Sequence, residues 1–201
     1  MPASSATMTA WHRPPPPLQA RISRSRSRST SENSSRKCAR GTLLSADEVD
    51  TALLQLPRAD GPLLLAAAHV HHLITETDLA RTIGETWAMA EYPDRQLGHD
   101  VWRILFAVAG YTHDGLPVPR PEKQLRLFRG EAAERRGDWS WTDDQDTARR
   151  YAAGGLRGRP AGRVWTALVE PGRLLARNTV REESEYVVDT KGLRIAEAAL
   201  A

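Results

Sequence analysis

The spacing of apolar residues changes near residue 115, and this change constrains the fold more than any other feature of the sequence. Before that point apolar residues recur every three or four positions, as they do on one face of an α-helix. After it they fall in short runs rich in Val, Leu and aromatic residues, as they do in β-strands. Helices followed by strands are typical of α+β proteins. The sequence therefore predicts a helical lobe over 42–115 and a β-rich core over 116–201, which together form one globular unit.

Four helices are predicted in the first half of this unit. Ser45 and Glu48 have the spacing of a capping box, which is typical of a helix N-terminus. Pro62 can occupy the first turn of a second helix, which we expect to continue to about Glu76. Two further segments carry apolar residues at helical spacing, so the lobe is predicted to be helical throughout.

Three strands and one short helix are predicted in the second half. The strands are expected at Gln124–Phe128, Val164–Val169 and Glu185–Val188, each a short run of apolar residues. Between the first two strands, Thr142 and Gln145 have the spacing of a second capping box. We expect a short helix to begin there.

The net charge of +3 is divided unevenly along the chain. Residues 1–41 hold eight basic residues and one acidic residue, which leaves 20 basic and 24 acidic residues in 42–201. The basic segment is rich in Arg, Ser and Pro, and it has too few apolar side chains to offset the entropy of ordering, so we predict that it is disordered. A transit peptide, a nucleic-acid-binding arm, an inert tail and a stretch read from a start codon placed too far upstream are all compatible with this composition.

Three features of the sequence argue against a disulfide-bonded, a metal-binding or a membrane-spanning protein. Cys38 is the only cysteine, so one chain can form neither a disulfide framework nor a Cys-based metal site. His69, His71 and His72 lack a known metal-binding pattern and a third ligand, so we expect no metal. The longest apolar run, Leu63–Val70, is far shorter than the roughly 20 residues of a membrane span. We therefore expect no membrane association and a cytoplasmic location.

The most informative segment is Glu183-Ser184-Glu185, which leads from a charged loop into a predicted strand. Side chains alternate along a strand, so Glu183 and Glu185 share one face. Two neighbouring carboxylates repel each other, and their burial costs free energy unless a cation lies nearby. The pair is therefore either solvated at the edge of a sheet or used to hold a cationic species. The segment alone favours the solvated edge.

Two further segments form a pattern with Glu183-Ser184-Glu185 when the three are taken in chain order. Leu127-Phe128-Arg129-Gly130 places an arginine after an aromatic residue at a strand end, and Trp139-Ser140-Trp141-Thr142 is a Ser/Thr strand before a capped helix. This order resembles the arginine-specific mono-ADP-ribosyltransferases of the Arg-Ser-Glu class, which use NAD. The resemblance covers roughly 123–190 and implies a β core of two small packed sheets, preceded by a helical lobe.

The chain departs from the pattern of this family at two points. Arg129 and Ser140 are eleven residues apart, a shorter distance than is usual in the family. Arg103 lies at the customary distance but within a helical pattern, so Arg129 is the preferred family arginine. The Ser-Thr-Ser motif is also altered, because Trp141 and Thr142 stand at its last two positions.

The resemblance implies a role for each matching residue. Cleavage of the nicotinamide–ribose bond of NAD develops an oxocarbenium-like cation, which Glu185 would stabilise while it holds a ribose hydroxyl. Arg129, followed by Gly130 at the same strand end, would bind the pyrophosphate through charge-assisted hydrogen bonds. Ser140 would orient Glu185, and Thr142 would support the start of the helix and the cleft.

The resemblance also implies the partners. Glu183 would face the acceptor and draw a proton from an arginine of a target protein, since a charged guanidinium is a poor nucleophile. NAD is then the substrate, and no metal is required. A protein of this kind is either cytoplasmic or delivered into a target cell. Three alternatives stay open: an NAD glycohydrolase, a transferase acting on nucleic acid, and a non-enzymatic helical interaction module. The acidic charge of 42–201 argues against nucleic acid as a partner except through the basic tail.

The chain has six tryptophans, which are many for its length. Trp139, Trp141 and Trp165 lie in or beside predicted strands. We expect these three to pack in the core rather than to stack on the nicotinamide ring, because large aromatic side chains bury a large apolar area.

Overall fold

The computed structural model describes residues 41–90, 92–154, 160–179 and 184–199, and the predicted basic tail lies almost entirely outside them. The described helices are α1 (Ala46–Gln55), α2 (Gly61–Val70), α3 (Glu76–Met89), α4 (Pro93–Ala109) and α5 (Gln145–Ala152). The described strands are β1 (Thr112–His113), β2 (Leu116–Pro117), β3 (Leu125–Glu131), β4 (Ser140–Thr142), β5 (Arg163–Val169), β6 (Leu174–Asn178), β7 (Glu185–Val188) and β8 (Ala196–Glu197). The predicted α+β class is confirmed. Within these ranges no helix is long and apolar enough to span a membrane.

Local sequence explains where the first helices begin and end. The Ser45 hydroxyl accepts the backbone N–H of Glu48, whose carboxylate accepts the backbone N–H of Ser45, which is the predicted capping box of α1. Helix α2 ends at Val70, and the prediction that it continues to about Glu76 is wrong. Thr75 is the N-cap of α3, so Glu76 belongs to the next helix.

Helix α5 begins with a different cap from the predicted one. Asp144 is its N-cap, and the Asp144 carboxylate accepts the backbone N–H groups of Asp146 and Thr147. The capping box expected from Thr142 and Gln145 is therefore wrong. The Thr142 hydroxyl accepts the backbone N–H of Asp144, the N-cap of this helix, at 3.1 Å.

All eight described strands belong to one mixed sheet, in the order β2-β1-β6-β7-β4-β3-β5-β8. The β core expected from the resemblance has two small packed sheets, whereas the described strands pair into one sheet. The connection across the middle is narrow, because β3 and β4 pair only through Phe128 opposite Thr142. By contrast, β3 pairs with β5 along its whole length, from Leu125 to Glu131. The sheet thus consists of two parts, β2-β1-β6-β7-β4 and β3-β5-β8, joined at one residue pair.

Two apolar clusters hold the layers together. The first packs helices α1 to α4 against Leu175, Ala176 and Val187 of the sheet. The second contains Trp141 from one part of the sheet and Trp165 from the other, so these two parts share a core of their own. The helices and the sheet therefore bury their apolar faces against each other in one layered structure.

The three tryptophans expected in the core are buried, with at most 9% of the surface of each exposed. They do not share one cluster. Trp139 packs with the helices, whereas Trp141 and Trp165 pack in the cluster between the two parts of the sheet. The prediction of core packing is confirmed.

Helix α5 lies directly against β3, and Gly130 permits this close approach. A Cβ atom at Gly130 would lie 1.9 Å from the carbonyl oxygen of Ala148 and 2.5 Å from the backbone nitrogen of Ala152. Both are backbone atoms of α5, so the clash could be relieved only by moving the helix. Gly130 therefore sets the distance between α5 and the end of β3, a packing role that is separate from the cofactor contact predicted for it.

We expect Gly130→Ala to lower the free energy of unfolding by about 1–3 kcal/mol, because the added methyl group overpacks the contact between β3 and α5. Urea denaturation followed by circular dichroism measures this change. Gly137→Ala is the matched control, because a Cβ atom there has no neighbour within 4 Å. The control is expected to change stability by less than about 0.5 kcal/mol. Equal losses in the two variants would contradict the packing role of Gly130.

Candidate functional site

A cleft of about 220 Å³ lies between the helices and the middle of the sheet. It is lined by α3, the start of α4, α5 and the ends of β3, β4, β6 and β7. Glu183 lies outside the described residues. The cleft brings together all the other residues that the sequence predicted for the site: Arg129, Gly130, Ser140, Thr142 and Glu185.

The register of three neighbouring strands places Glu185 at the cleft. Glu185 begins β7 and lies opposite Thr142 of β4 on one side and Asn178 of β6 on the other. Residues directly opposite each other on neighbouring strands point to the same face of the sheet. One carboxylate is therefore flanked by two polar side chains on the face that lines the cleft.

The carboxylate of Glu185 is held by Asn178. The Asn178 side-chain amide donates to Oε2 of Glu185 at 3.0 Å and to the backbone carbonyl of Gly84 at 3.2 Å. The resemblance assigned the orienting role to Ser140, but the Ser140 hydroxyl accepts the indole N–H of Trp87 at 3.2 Å. In the described part of the chain, the side chain that donates a hydrogen bond to this carboxylate is thus that of Asn178.

Asn178 was missed at the sequence level, although a signal for it exists. The turn residues Pro171-Gly172 are followed by the apolar run Leu174-Leu175-Ala176, which predicts a strand ending near residue 178. This strand precedes the Glu185 strand by a short connection, and strands joined by short connections commonly pair as hairpins. A polar residue at its end is then expected near Glu185.

Arg129 forms part of the cleft wall and is 7% exposed. Its guanidinium forms ion pairs with Glu131 and Asp138, each at 3.1 Å. It also donates to the backbone carbonyls of Ser140 at 2.6 Å and Arg135 at 3.2 Å. Arg129 therefore ties the end of β3 to the start of β4. Because two carboxylates already balance its charge, it would attract a phosphate less than an unpaired arginine, and its contact with pyrophosphate stays a prediction.

Arg103, the alternative family arginine, is not among the described residues that line the cleft. Its guanidinium donates to both carboxylate oxygens of Asp189, at 2.7 and 3.0 Å, and to Asp100 at 2.6 Å. It also lies over the indole ring of Trp139 at 5.4 Å. Arg103 thus fastens α4 to the chain just after β7. Of the two candidate arginines, the structure places Arg129 in the cleft.

We expect Asp189→Asn to lower the melting temperature at neutral pH, because it removes the carboxylate that pairs with Arg103. The hydrogen bond from Arg103 lowers the pKa of Asp189, and burial partly opposes this effect. The stabilisation is therefore complete above the ordinary Asp pKa of about 3.9, and it is lost as the pH falls through the lowered folded-state value. Melting curves of both proteins from neutral to strongly acidic pH measure it. A difference that stays constant with pH would contradict the assignment.

The helical side of the cleft is aromatic. The ring of Trp139 stacks on His99 at a centroid distance of 4.5 Å and on Trp87 at 5.6 Å. Gly98, with a φ of 71°, interrupts α4 immediately before His99. Trp87 and Trp139 are 2% and 1% exposed, so this wall is closely packed. Tryptophans chosen from the sequence as core residues thus also line the cleft.

The charged side chains of the described lining are mainly acidic. The lining contains three arginines, and each of them is paired with a carboxylate. Within the described residues, no group of three or more His, Cys, Asp and Glu side chains is placed to hold a metal ion. Five carboxylates line the cleft, two more than the arginines, so the lining suits a cationic group. These carboxylates are Glu85, Asp94, Asp114, Asp138 and Glu185.

Comparison of the chain with protein-family models, with curated protein sequences and with solved structures found no match.

Proposed function

We propose that the protein is a mono-ADP-ribosyltransferase that transfers ADP-ribose from NAD to an arginine of a target protein and releases nicotinamide. We propose also that its core is that of the ADP-ribosyltransferases of the Arg-Ser-Glu class, with the two small sheets of that class corresponding to the two parts of the sheet joined by Phe128 and Thr142. The observation that carries the proposal is the convergence of Arg129, Ser140 and Glu185 on one cleft. The alternative of a solvated edge does not fit the strand that carries Glu185, because β7 pairs with β4 on one side and with β6 on the other.

The chemistry uses the carboxylate of Glu185 as an electrostatic stabiliser. The bond between the nicotinamide nitrogen and the ribose carbon breaks, and its electron pair leaves with nicotinamide. The ribose carbon then carries positive charge, and a carboxylate already fixed in place stabilises that charge without reorganising. A guanidinium nitrogen of the acceptor forms the new bond to this carbon and gives its proton to Glu183.

The charge of the cleft supports an arginine acceptor over a nucleic acid. The described lining carries more carboxylates than arginines, and the three arginines Arg81, Arg129 and Arg135 are each engaged by a carboxylate of the protein. Such a lining suits a guanidinium, and it offers no unpaired arginine among the described residues to balance the many phosphates of a nucleic acid.

We expect Glu185→Gln to slow nicotinamide release from NAD by at least about 100-fold, because it removes the charge that stabilises the cation. Chromatography of the purified protein with NAD measures release, and labelled NAD in a cell lysate measures transfer. Glu197→Gln is the matched control. It makes the same change on β8 of the same sheet, where the side chain is 52% exposed and pairs with Arg163. A wild-type protein that releases no nicotinamide, or a Glu185→Gln variant of unchanged activity, would refute the proposal.

We expect Glu183→Gln to abolish transfer to arginine and to leave hydrolysis of NAD largely unchanged. The reason is that this residue is proposed to act on the acceptor, whereas the bond to nicotinamide is broken at Glu185. Transfer to a small guanidine such as agmatine and release of nicotinamide are measured in the same reaction. If both rates fall together, Glu183 does not act on the acceptor, and retained transfer would likewise exclude that role.

A further inference from the structure

The end of β6 connects helix α3 to the carboxylate of the cleft through one side chain. Asn178 donates to the backbone carbonyl of Gly84 in α3 and to Oε2 of Glu185. A side-chain amide has two N–H donors, and neither of these oxygens can donate in return when the carboxylate is ionised. The two acceptors therefore fix which way the amide faces, with its nitrogen between the helix and Glu185.

Gly84 provides the room that Asn178 needs. A Cβ atom at Gly84 would lie 2.6 Å from Oδ1 of Asn178, whereas its contact with the side chain of Ala176 would be an ordinary 3.8 Å. Gly84 lies inside α3, where glycine destabilises a helix by roughly 0.5–1 kcal/mol relative to alanine. The helix thus carries an unfavourable residue at the one turn that receives the Asn178 amide.

The chemistry of Asn178 suits a partner of a carboxylate that must keep its charge. An amide N–H fixes one oxygen and hence the plane of the carboxylate. A lysine or arginine at the same place would fix it too, but would also balance the negative charge that the developing cation requires. A neutral donor therefore orients Glu185 without weakening its electrostatic effect.

We infer that Asn178 is a positioning residue for Glu185, and that Gly84 is required for this role because it leaves space for the Asn178 amide. This inference rests on the proposed function, in which Glu185 stabilises the cation. Asn178 acts through Glu185, and it replaces in this role the serine that the family pattern suggests. Its loss should lower kcat, since misplacement of a catalytic group by about 1 Å can cost roughly 100-fold.

The test is a double-mutant cycle of Asn178→Ala and Gly84→Ala, with kcat and KM for nicotinamide release and the melting temperature measured for each protein. Asn178→Ala is expected to lower kcat by about 100-fold and to change KM little. Gly84→Ala alone is expected to lower kcat in the same direction, because its methyl group displaces the amide. In the Asn178→Ala background the same methyl group meets no amide, so kcat should not fall further and the melting temperature should rise.

Asn178→Asp is the isosteric companion variant, and we expect it to lose at least as much kcat, because it places a second carboxylate beside Glu185. Should Asn178→Ala not fold, kcat of the Gly84→Ala variant tests the inference instead, since this variant keeps the asparagine in the chain. Retained kcat in these variants while Glu185→Gln is inactive would overturn the inference and leave the proposed function standing. Additive losses in the cycle would overturn it as well. A wild-type protein that releases no nicotinamide would refute both.

Discussion

Strand β7 is held between β4 and β6, with Glu185 opposite Thr142 and Asn178, and every contact described for the cleft carboxylate depends on this register. A slip by one residue would turn Glu185 to the opposite face of the sheet, because side chains alternate along a strand. Apolar packing on both faces resists such a slip. Tyr186 packs in the cluster between the two parts of the sheet, whereas Val187 packs under the helices. The functional face of a single glutamate is thus fixed by the burial of the two residues that follow it.

Local patterns predicted the elements whose signals are contained within a few residues. The capping box at Ser45 and the strand beginning at Glu185 are examples. The end of α2 was misplaced because the apolar pattern continues through Leu73 and Ile74, which are 2% and 7% exposed but lie in the connection between helices. An apolar pattern that continues past a helix usually predicts more helix, but Leu73 and Ile74 are buried without being helical.

The contacts that orient the site could not be predicted from local patterns, because they join residues far apart in the chain. Asn178 reaches Gly84 across 94 positions, and Trp87 reaches Ser140 across 53. The same limit applies to Arg129. Its position at a strand end was predictable, but its ion pairs with Glu131 and Asp138 follow from the path of the loop between β3 and β4. The sequence therefore predicted which side chains meet at the cleft more reliably than how each one is held.

Trp87 and Trp139 belong to the apolar core and to the lining of the cleft at the same time. A substitution at either position changes the stability of the protein and the shape of the cleft together, so natural selection cannot adjust one property without the other. Over evolutionary time the aromatic wall should therefore change slowly, and new specificities should arise where side chains meet only solvent.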